Sequence, residues 1–237
     1  KNIPAIQKFT EVILMDDKHV LSYYNRGVAQ KNINKYEDAI KDFDKAVSID
    51  PQHAMSFYMK GLASMENNSL ENATAAFRKS YTIDPTMEKG AYYEGVTYFQ
   101  MEEYDKALEA FDKAISMKSD YAYAYNDRGS VKLKQENIDG AISDYKYAIS
   151  IDKRMSFAYN NLASAYRKKG DFATAQKYYN EAVKMQPDYY VAYNNRGTVK
   201  FEQGDYTGAL SDFKKAITLN PEYAFAYNNK ASVYLKL

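Results

Sequence analysis

YVAYNNRGTVKFEQGDYTGALSDFKKAITLNPEY, residues 190–223, holds two helical patterns separated by a turn. In the first, Tyr193, Gly197 and Phe201 fall four apart on one face. In the second, Tyr206, Ala209, Phe213, Ala216 and Leu219 recur every three or four residues, an apolar stripe of helical period. The spacing predicts one helix from Tyr190 to about Glu202 and a second from about Tyr206 to Leu219. Gly204 permits a left-handed exit from the first, and Asp205 is placed to cap the second. Asn220–Pro221 closes the pair, because proline lacks an N–H and disfavours helical backbone in the residue before it.

Moved back by 34 residues, the same pattern begins at Ser156, then at Ala122, Glu88, Ala54 and Val20, with no insertion or deletion. The chain therefore divides into six full units, 20–53, 54–87, 88–121, 122–155, 156–189 and 190–223. Residues 1–19 align with a second helix alone, putting Ala5, Phe9 and Val12 on the conserved-pattern places, and 224–237 with a first helix alone. A unit this small cannot bury its own apolar face, so the core must grow by stacking. One place in the second helix is always alanine (Ala39, Ala73, Ala107, Ala141, Ala175, Ala209). Four residues on comes an aromatic ring (Phe43, Phe77, Phe111, Tyr145, Tyr179, Phe213), and three further a small residue. The first helix carries Gly27, Gly61, Gly95, Gly129, Ala163 and Gly197 at one place. Glycine inside a helix costs about 0.5–1 kcal/mol relative to alanine, so its recurrence implies close helix approach. Rings packed against small residues of a facing helix are the expected joint.

With Tyr193, Gly197, Ala209, Phe213, Ala216 and Pro221, and their counterparts every 34 residues, the chain resembles the tetratricopeptide repeat (TPR) family over essentially its whole length. It departs from the pattern mildly: Ser119 and Lys153 replace the terminal proline, Ala91 the leading aromatic, and Lys132 and Lys200 a usual tyrosine. The resemblance implies an all-α fold, a right-handed superhelical α-solenoid of helix–turn–helix repeats with the first helices lining a groove. It also implies a protein or peptide ligand. Both partial units would present an unpaired apolar face, which suggests a parent protein continuing in both directions, or head-to-tail self-association.

Three units carry arginine just before the glycine (Arg26, Arg128, Arg196), and the same three carry aspartate in the second helix (Asp42, Asp144, Asp212). The others pair Lys60 with Ala76, Glu94 with Ala110 and Leu162 with Tyr178. Such matching predicts an Arg–Asp ion pair inside each of the three units, favoured for the planar guanidinium.

The first-helix positions opposite the Tyr/Gly face are expected to line the groove. One row reads Tyr24, Tyr58, Tyr92, Asn126, Asn160, Asn194, Asn228, and its neighbour four residues on reads Val28, Leu62, Val96, Ser130, Ser164, Thr198, Ser232. The lining thus changes from aromatic and apolar to amide and hydroxyl near residue 122. A third row reads Asn25, Met59, Tyr93, Asp127, Asn161, Asn195, Asn229. An asparagine amide offers two donors and an acceptor, which suits both polar groups of a peptide unit. The run resembles the asparagine ladder with which some TPR proteins hold unstructured peptides. Bridging between helices is the competing use of the same amides. In the aromatic half, Tyr24, Tyr58, Tyr92, Met55, Leu62 and Phe99 are expected to accept apolar side chains of a partner. The places that carry a lysine-rich carboxylate clamp in some TPR co-chaperones hold tyrosine or asparagine. Lys134, Arg167, Lys168 and Lys236 lie where they would favour acidic ligands, unless they only solvate the surface.

Composition narrows the function further. With 32 Lys+Arg against 31 Asp+Glu, no global field points to nucleic acid. The chain has no Cys, which removes disulfides and thiolate metal sites and leaves the redox compartment open. No apolar run is long enough to span a bilayer, and Gln7, Lys8, Thr10 and Glu11 interrupt the only stretch resembling a leader. His19 and His53, the only histidines, lie between units with no carboxylate constellation, and no glycine-rich phosphate loop is present. The expectation is a non-catalytic interaction scaffold without cofactor or metal. A structural assembly element, or the substrate-recognition arm of an enzyme whose catalytic domain lies elsewhere, are its alternatives.

Overall fold

A computed structural model describes residues 2–237. Every regular element among them is an α-helix: α1 (Asn2–Met15), α2 (Val20–Lys31), α3 (Tyr36–Ile49), α4 (Ala54–Glu66), α5 (Leu70–Ile83), α6 (Glu88–Gln100) and α7 (Tyr104–Met117) precede α8 (Ala122–Lys134), α9 (Ile138–Ile151), α10 (Ser156–Lys168), α11 (Phe172–Met185), α12 (Tyr190–Glu202), α13 (Tyr206–Leu219) and α14 (Ala224–Tyr234). They form two compact units, the first ending at Ser119 and the second running Asp120–Leu237. Within each unit, successive helices pack as antiparallel hairpins, and each second helix also packs on the first helix of the next hairpin. This is the all-α solenoid architecture expected from the period.

The joint is the one the small and aromatic residues imply. All six invariant alanines are fully buried, as are Phe43, Phe77, Phe111, Tyr145, Tyr179 and Phe213. Five of these rings lie over the glycine of their own first helix, so that a Cβ built on Gly27 would stand 2.8 Å from Phe43 Cε1; Tyr179 has Ala163 at that place. Burying such a ring contributes about 1.5–3 kcal/mol, and the pattern repeats it hairpin by hairpin.

The turn between paired helices always places one residue in the left-handed region: Asn34, Asn68, Glu102, Glu136, Gly170 and Gly204. Asn137, Asp171 and Asp205 then cap the following helix, Asp205 accepting from the Gly208 N–H at 2.8 Å. These caps satisfy amide donors that the first helical turn cannot pair internally.

The three co-occurring ion pairs are present. Arg26 donates from Nε and Nη2 to both carboxylate oxygens of Asp42 at 2.8 and 2.7 Å, Arg128 does the same to Asp144 at 2.8 and 2.6 Å, and Arg196 to Asp212 at 2.8 and 2.6 Å. All three aspartates are buried. Lys132 and Lys200, which depart from the family pattern, are explained by the same carboxylates: their Nζ atoms lie 2.8 Å from Asp144 and Asp212.

Candidate peptide interface

In the second unit the first helices α8, α10, α12 and α14 lie side by side, and asparagines tie them together. Asn161 Nδ2 donates to Asn126 Oδ1 at 3.1 Å, Asn195 to Asn160 at 3.0 Å, and Asn229 to Asn194 at 2.9 Å. Each buried amide donates in turn to its chain neighbour: Asn126 to Asp127 Oδ1 at 2.8 Å, Asn160 to Asn161 at 3.3 Å and Asn194 to Asn195 at 3.4 Å. The two asparagine rows are therefore one hydrogen-bonded ladder running from hairpin to hairpin.

The spacing places the row Tyr24, Tyr58, Tyr92, Asn126, Asn160, Asn194 away from the packing within a hairpin; the structure corrects this. Asn126, Asn160 and Asn194 are buried, at 3%, 5% and 5% exposure. Tyr24, Tyr58 and Tyr92 tilt against Phe43, Phe77 and Phe111, with ring centroids 6.1, 6.0 and 5.9 Å apart. The reason is angular. This position lies three residues before the glycine, hence only about 60° around the helix from the packed face. The row of Asn161, Asn195 and Asn229 lies two residues before the glycine, about 160° away, and these side chains keep partial exposure.

That exposure leaves each outer amide some capacity. Asn161 and Asn195 each use one of two N–H groups and one of two carbonyl lone pairs inside the ladder, so one donor and one acceptor site remain on each. Such a pair matches one peptide unit of an extended chain.

Hydroxyls support the ladder from beneath. Ser130, Ser164, Thr198 and Ser232 donate to the backbone carbonyls of Asn126, Asn160, Asn194 and Asn228 at 3.0–3.2 Å. Tyr145 and Tyr179 hydroxyls meet Ser130 and Ser164 at 3.1 and 2.8 Å; the serine protons being committed, the phenols donate. The sequence carries this signal in retrospect. Tyrosine occurs at the ring position only in the two full units with serine at the place of Ser130 and Ser164, whereas the units of Phe43, Phe77 and Phe111 carry Val28, Leu62 and Val96 there, and that of Phe213 carries Thr198. A buried phenol without an acceptor would be costly.

Burial pushes the Tyr145 and Tyr179 phenols up to about 12, the serine contacts only partly offsetting it, and burial does the same to Tyr58. The folded state holds these protons above the ordinary tyrosine value near 10. Their contribution to stability is therefore complete below about pH 10 and lost as pH rises from there through about 12. In a spectrophotometric titration Tyr58, Tyr145 and Tyr179 will ionise in a steep second step, above the ordinary tyrosine range and coincident with loss of helical circular dichroism. Tyr145→Phe and Tyr179→Phe will each diminish that second step.

Among the described residues the first unit has no equivalent ladder. At the asparagine positions Met59 packs against the Phe43 and Ala63 cluster, and Tyr93 stacks on Phe77 at 5.8 Å. Asn25 alone keeps the amide, with partial exposure. Of the other residues expected to bind apolar side chains, Leu62 and Phe99 are half-buried, Phe99 against Tyr104, and Met55 is exposed. Arg167 and Lys168 are committed to Glu202 and Glu136 at 2.6 and 2.7 Å. Lys134 and Lys236 are exposed and form no ion pair among the described residues. One row was missed: Tyr123, Phe157, Val191 and Phe225 stand at the 34-residue period, on the line that opens with Leu21 and Met55 and is interrupted by Lys89. Each stands four residues before a ladder position, one helical turn along the same face. No group of His, Cys, Asp and Glu that could hold a metal ion occurs among the described residues, and no helix among them is long and apolar enough to cross a membrane.

Comparison with known proteins adds to this geometry. Tetratricopeptide repeat models match residues 20–53, 55–87 and 160–236, and a TPR repeat model matches 95–136. No curated protein sequence matches the chain significantly. Among solved structures, the chain is similar to one in the crystal structure of the APC/C hetero-tetramer Cut9–Hcn1, with a TM-score of 0.75 and 14% identity over 98% of this chain. It spans 46% of that chain's length. MamA is 27% identical over 68% of this chain and 94% of its own, with a TM-score of 0.64. YrrB, a TPR protein with an unusual peptide-binding site, is 22% identical over 80% of this chain and 97% of its own, with a TM-score of 0.61. Proteins built from such repeats are in general non-catalytic scaffolds for protein interaction. With the repeat recurring in register and four models of one family matching along its length, the chain belongs to the tetratricopeptide repeat family.

Proposed function

We propose that this protein is a non-catalytic scaffold whose second unit holds an extended segment of a partner protein across α8, α10, α12 and α14. The observation that carries this reading is the unspent hydrogen-bonding capacity of Asn161 and Asn195, with Asn229 next in line. Amides locked by one bond and free at another are pre-ordered acceptors and donors for peptide backbone, and pre-ordering reduces the entropic cost of binding. YrrB, an example of the same fold with a peptide-binding site, makes the ligand class reasonable for the architecture. Met55, Leu62 and Phe99 of the first unit are a separate apolar contact region for partner side chains.

The test is selection of binders from a displayed library of random dodecapeptides on the full chain, followed by affinity measurement with substituted chains. Asn161→Ala, Asn195→Ala and Asn229→Ala combined will weaken binding by about tenfold or more, each lost hydrogen bond counting for about 0.5–1.5 kcal/mol. The ladder geometry adds a condition. Each substitution also deprives a buried asparagine of its donor, so Asn195→Ala alone, with helicity followed by circular dichroism, separates loss of contact from loss of structure. Unchanged affinity in the triple variant would remove the ladder from the function.

A further inference from the structure

The second unit presents more than a row of amides. Along each of its first helices an apolar residue precedes the ladder position by one turn: Tyr123 before Asp127, Phe157 before Asn161, Val191 before Asn195 and Phe225 before Asn229. Tyr123 and Phe225 are 50% and 69% exposed, and Phe157 and Val191 are partly exposed. Tyr123 and Phe157, on neighbouring helices, stack with centroids 5.8 Å apart. An aromatic rim thus runs parallel to the amides. The ends of the same helices carry Lys134 and, just beyond α14, Lys236.

Charge distinguishes this half. Asp120–Leu237 contains 17 Lys and Arg against 13 Asp and Glu, a formal charge of +4, whereas residues 1–119 contain 15 against 18, or −3. The near-neutral total conceals a positive second unit. An anionic ligand is the complement.

Spacing then selects a conformation. Neighbouring first helices are close enough for direct amide–amide bonds, and packed helices lie about 8–10 Å apart. A polyproline II chain advances about 9.3 Å per turn of three residues, and so presents the same face to every helix. Its backbone is unpaired internally, leaving N–H and C=O for the amides. Aromatic-lined grooves suit its apolar ridge.

We propose that the second unit binds an acidic chain in polyproline II conformation with an apolar side chain at every third residue. The proposal rests on the peptide-binding reading above and specifies its ligand: backbone on Asn161, Asn195 and Asn229, apolar side chains on Tyr123, Phe157 and Val191, and acidic residues toward Lys134 and Lys236.

Fluorescence anisotropy on the full chain tests it with labelled dodecapeptides made of Leu, Pro and Glu. One places Leu at every third residue, a second has the same composition with the same number of Leu set at every second position of a central segment, and a third replaces Glu by Lys in the first. The first will bind about tenfold more tightly than the second, the order expected from losing one or two partly buried apolar contacts, and more tightly than the third, whose lysines meet a positive unit. Phe157→Ser, a change at a partly exposed site, will weaken the first about fivefold and leave the second unaffected, while Asn195→Ala will weaken both. Equal binding of the first two peptides, both still sensitive to Asn195→Ala, would overturn the period while leaving the extended-peptide reading intact. Equal binding of the Lys peptide would overturn the acidic preference. Displacement of the first peptide by single-stranded oligothymidylate at equal concentration would overturn the proposal in favour of nucleic acid. Binding of none of these peptides would overturn it as well, and the library selection then decides the broader reading on its own.

Discussion

Asp144→Ala will destabilise the second unit by about 3 kcal/mol, at the lower end of the range for breaking a buried ion pair by removing one partner. Asp144 is 4% exposed and receives two Arg128 donors and the Lys132 ammonium. Removing the carboxylate leaves two cations facing each other, both largely withdrawn from water. Asp212→Ala, with Arg196 and Lys200 in the same arrangement, will cost a similar amount. Asp42→Ala will cost less, because among the described residues Arg26 is the one cation bound there and no lysine stands beside it. Urea unfolding followed by circular dichroism, with amide exchange in α8 and α9 to locate the loss, gives the order. Arg128→Met and Lys132→Met together with Asp144→Leu will recover much of the stability, since a well-packed apolar replacement avoids the desolvation cost. Equal losses at Asp42 and Asp144 would show that the lysines contribute nothing.

These ion pairs were legible in the sequence because the repeat supplies its own internal comparison: three arginines accompany three aspartates and are absent together elsewhere. What the repeat does not reveal is pairing that differs from unit to unit. Glu94 occupies the arginine position of its hairpin and is 1% exposed, yet its partners come from the preceding second helix. Arg78 Nε donates to it at 2.8 Å and the Tyr81 hydroxyl at 2.7 Å. The same two places also join Asp44 to Lys60 at 2.6 Å and Asn180 to Arg196 at 2.9 Å, but the residue types change from unit to unit, so no repeated pair advertises the contact. The turns show the converse. Gly204 announces a left-handed residue, and the 34-residue register transfers that conformation to Glu102 and Glu136, which composition alone would never assign to it. The ladder was legible in its residues but not in its direction. Period alone could not tell an amide facing a ligand from one facing the next helix, since an angular difference of about 100° between adjacent residues separates the two.

The aromatic joint makes the second strong prediction, at Phe77. Its ring is fully buried over Gly61, and a Cβ at Gly61 would lie 2.6 Å from both Phe77 Cδ1 and Cε1. Phe77→Ala will cost about 3–5 kcal/mol, the transfer free energy of the ring plus the cavity it leaves. Gly61→Ala in the native background has two opposed effects. Helix propensity favours it by about 0.8–1.0 kcal/mol, and overpacking against a ring that cannot retreat opposes it by about 1–3 kcal/mol. The net is destabilising. With Phe77→Ala in place the clash disappears, the new methyl occupies part of the cavity, and the same substitution becomes stabilising. The sign must therefore invert between backgrounds, with a coupling of about 2 kcal/mol in a double-mutant cycle. Ala163 marks the natural limit of the same trade. There the chain accepts a methyl at the glycine position beneath a tyrosine, both residues remaining fully buried. Should Gly61→Ala stabilise the native protein, the joint would have more slack than a 2.6 Å approach permits, and close helix approach would no longer account for glycine at five of the six sites.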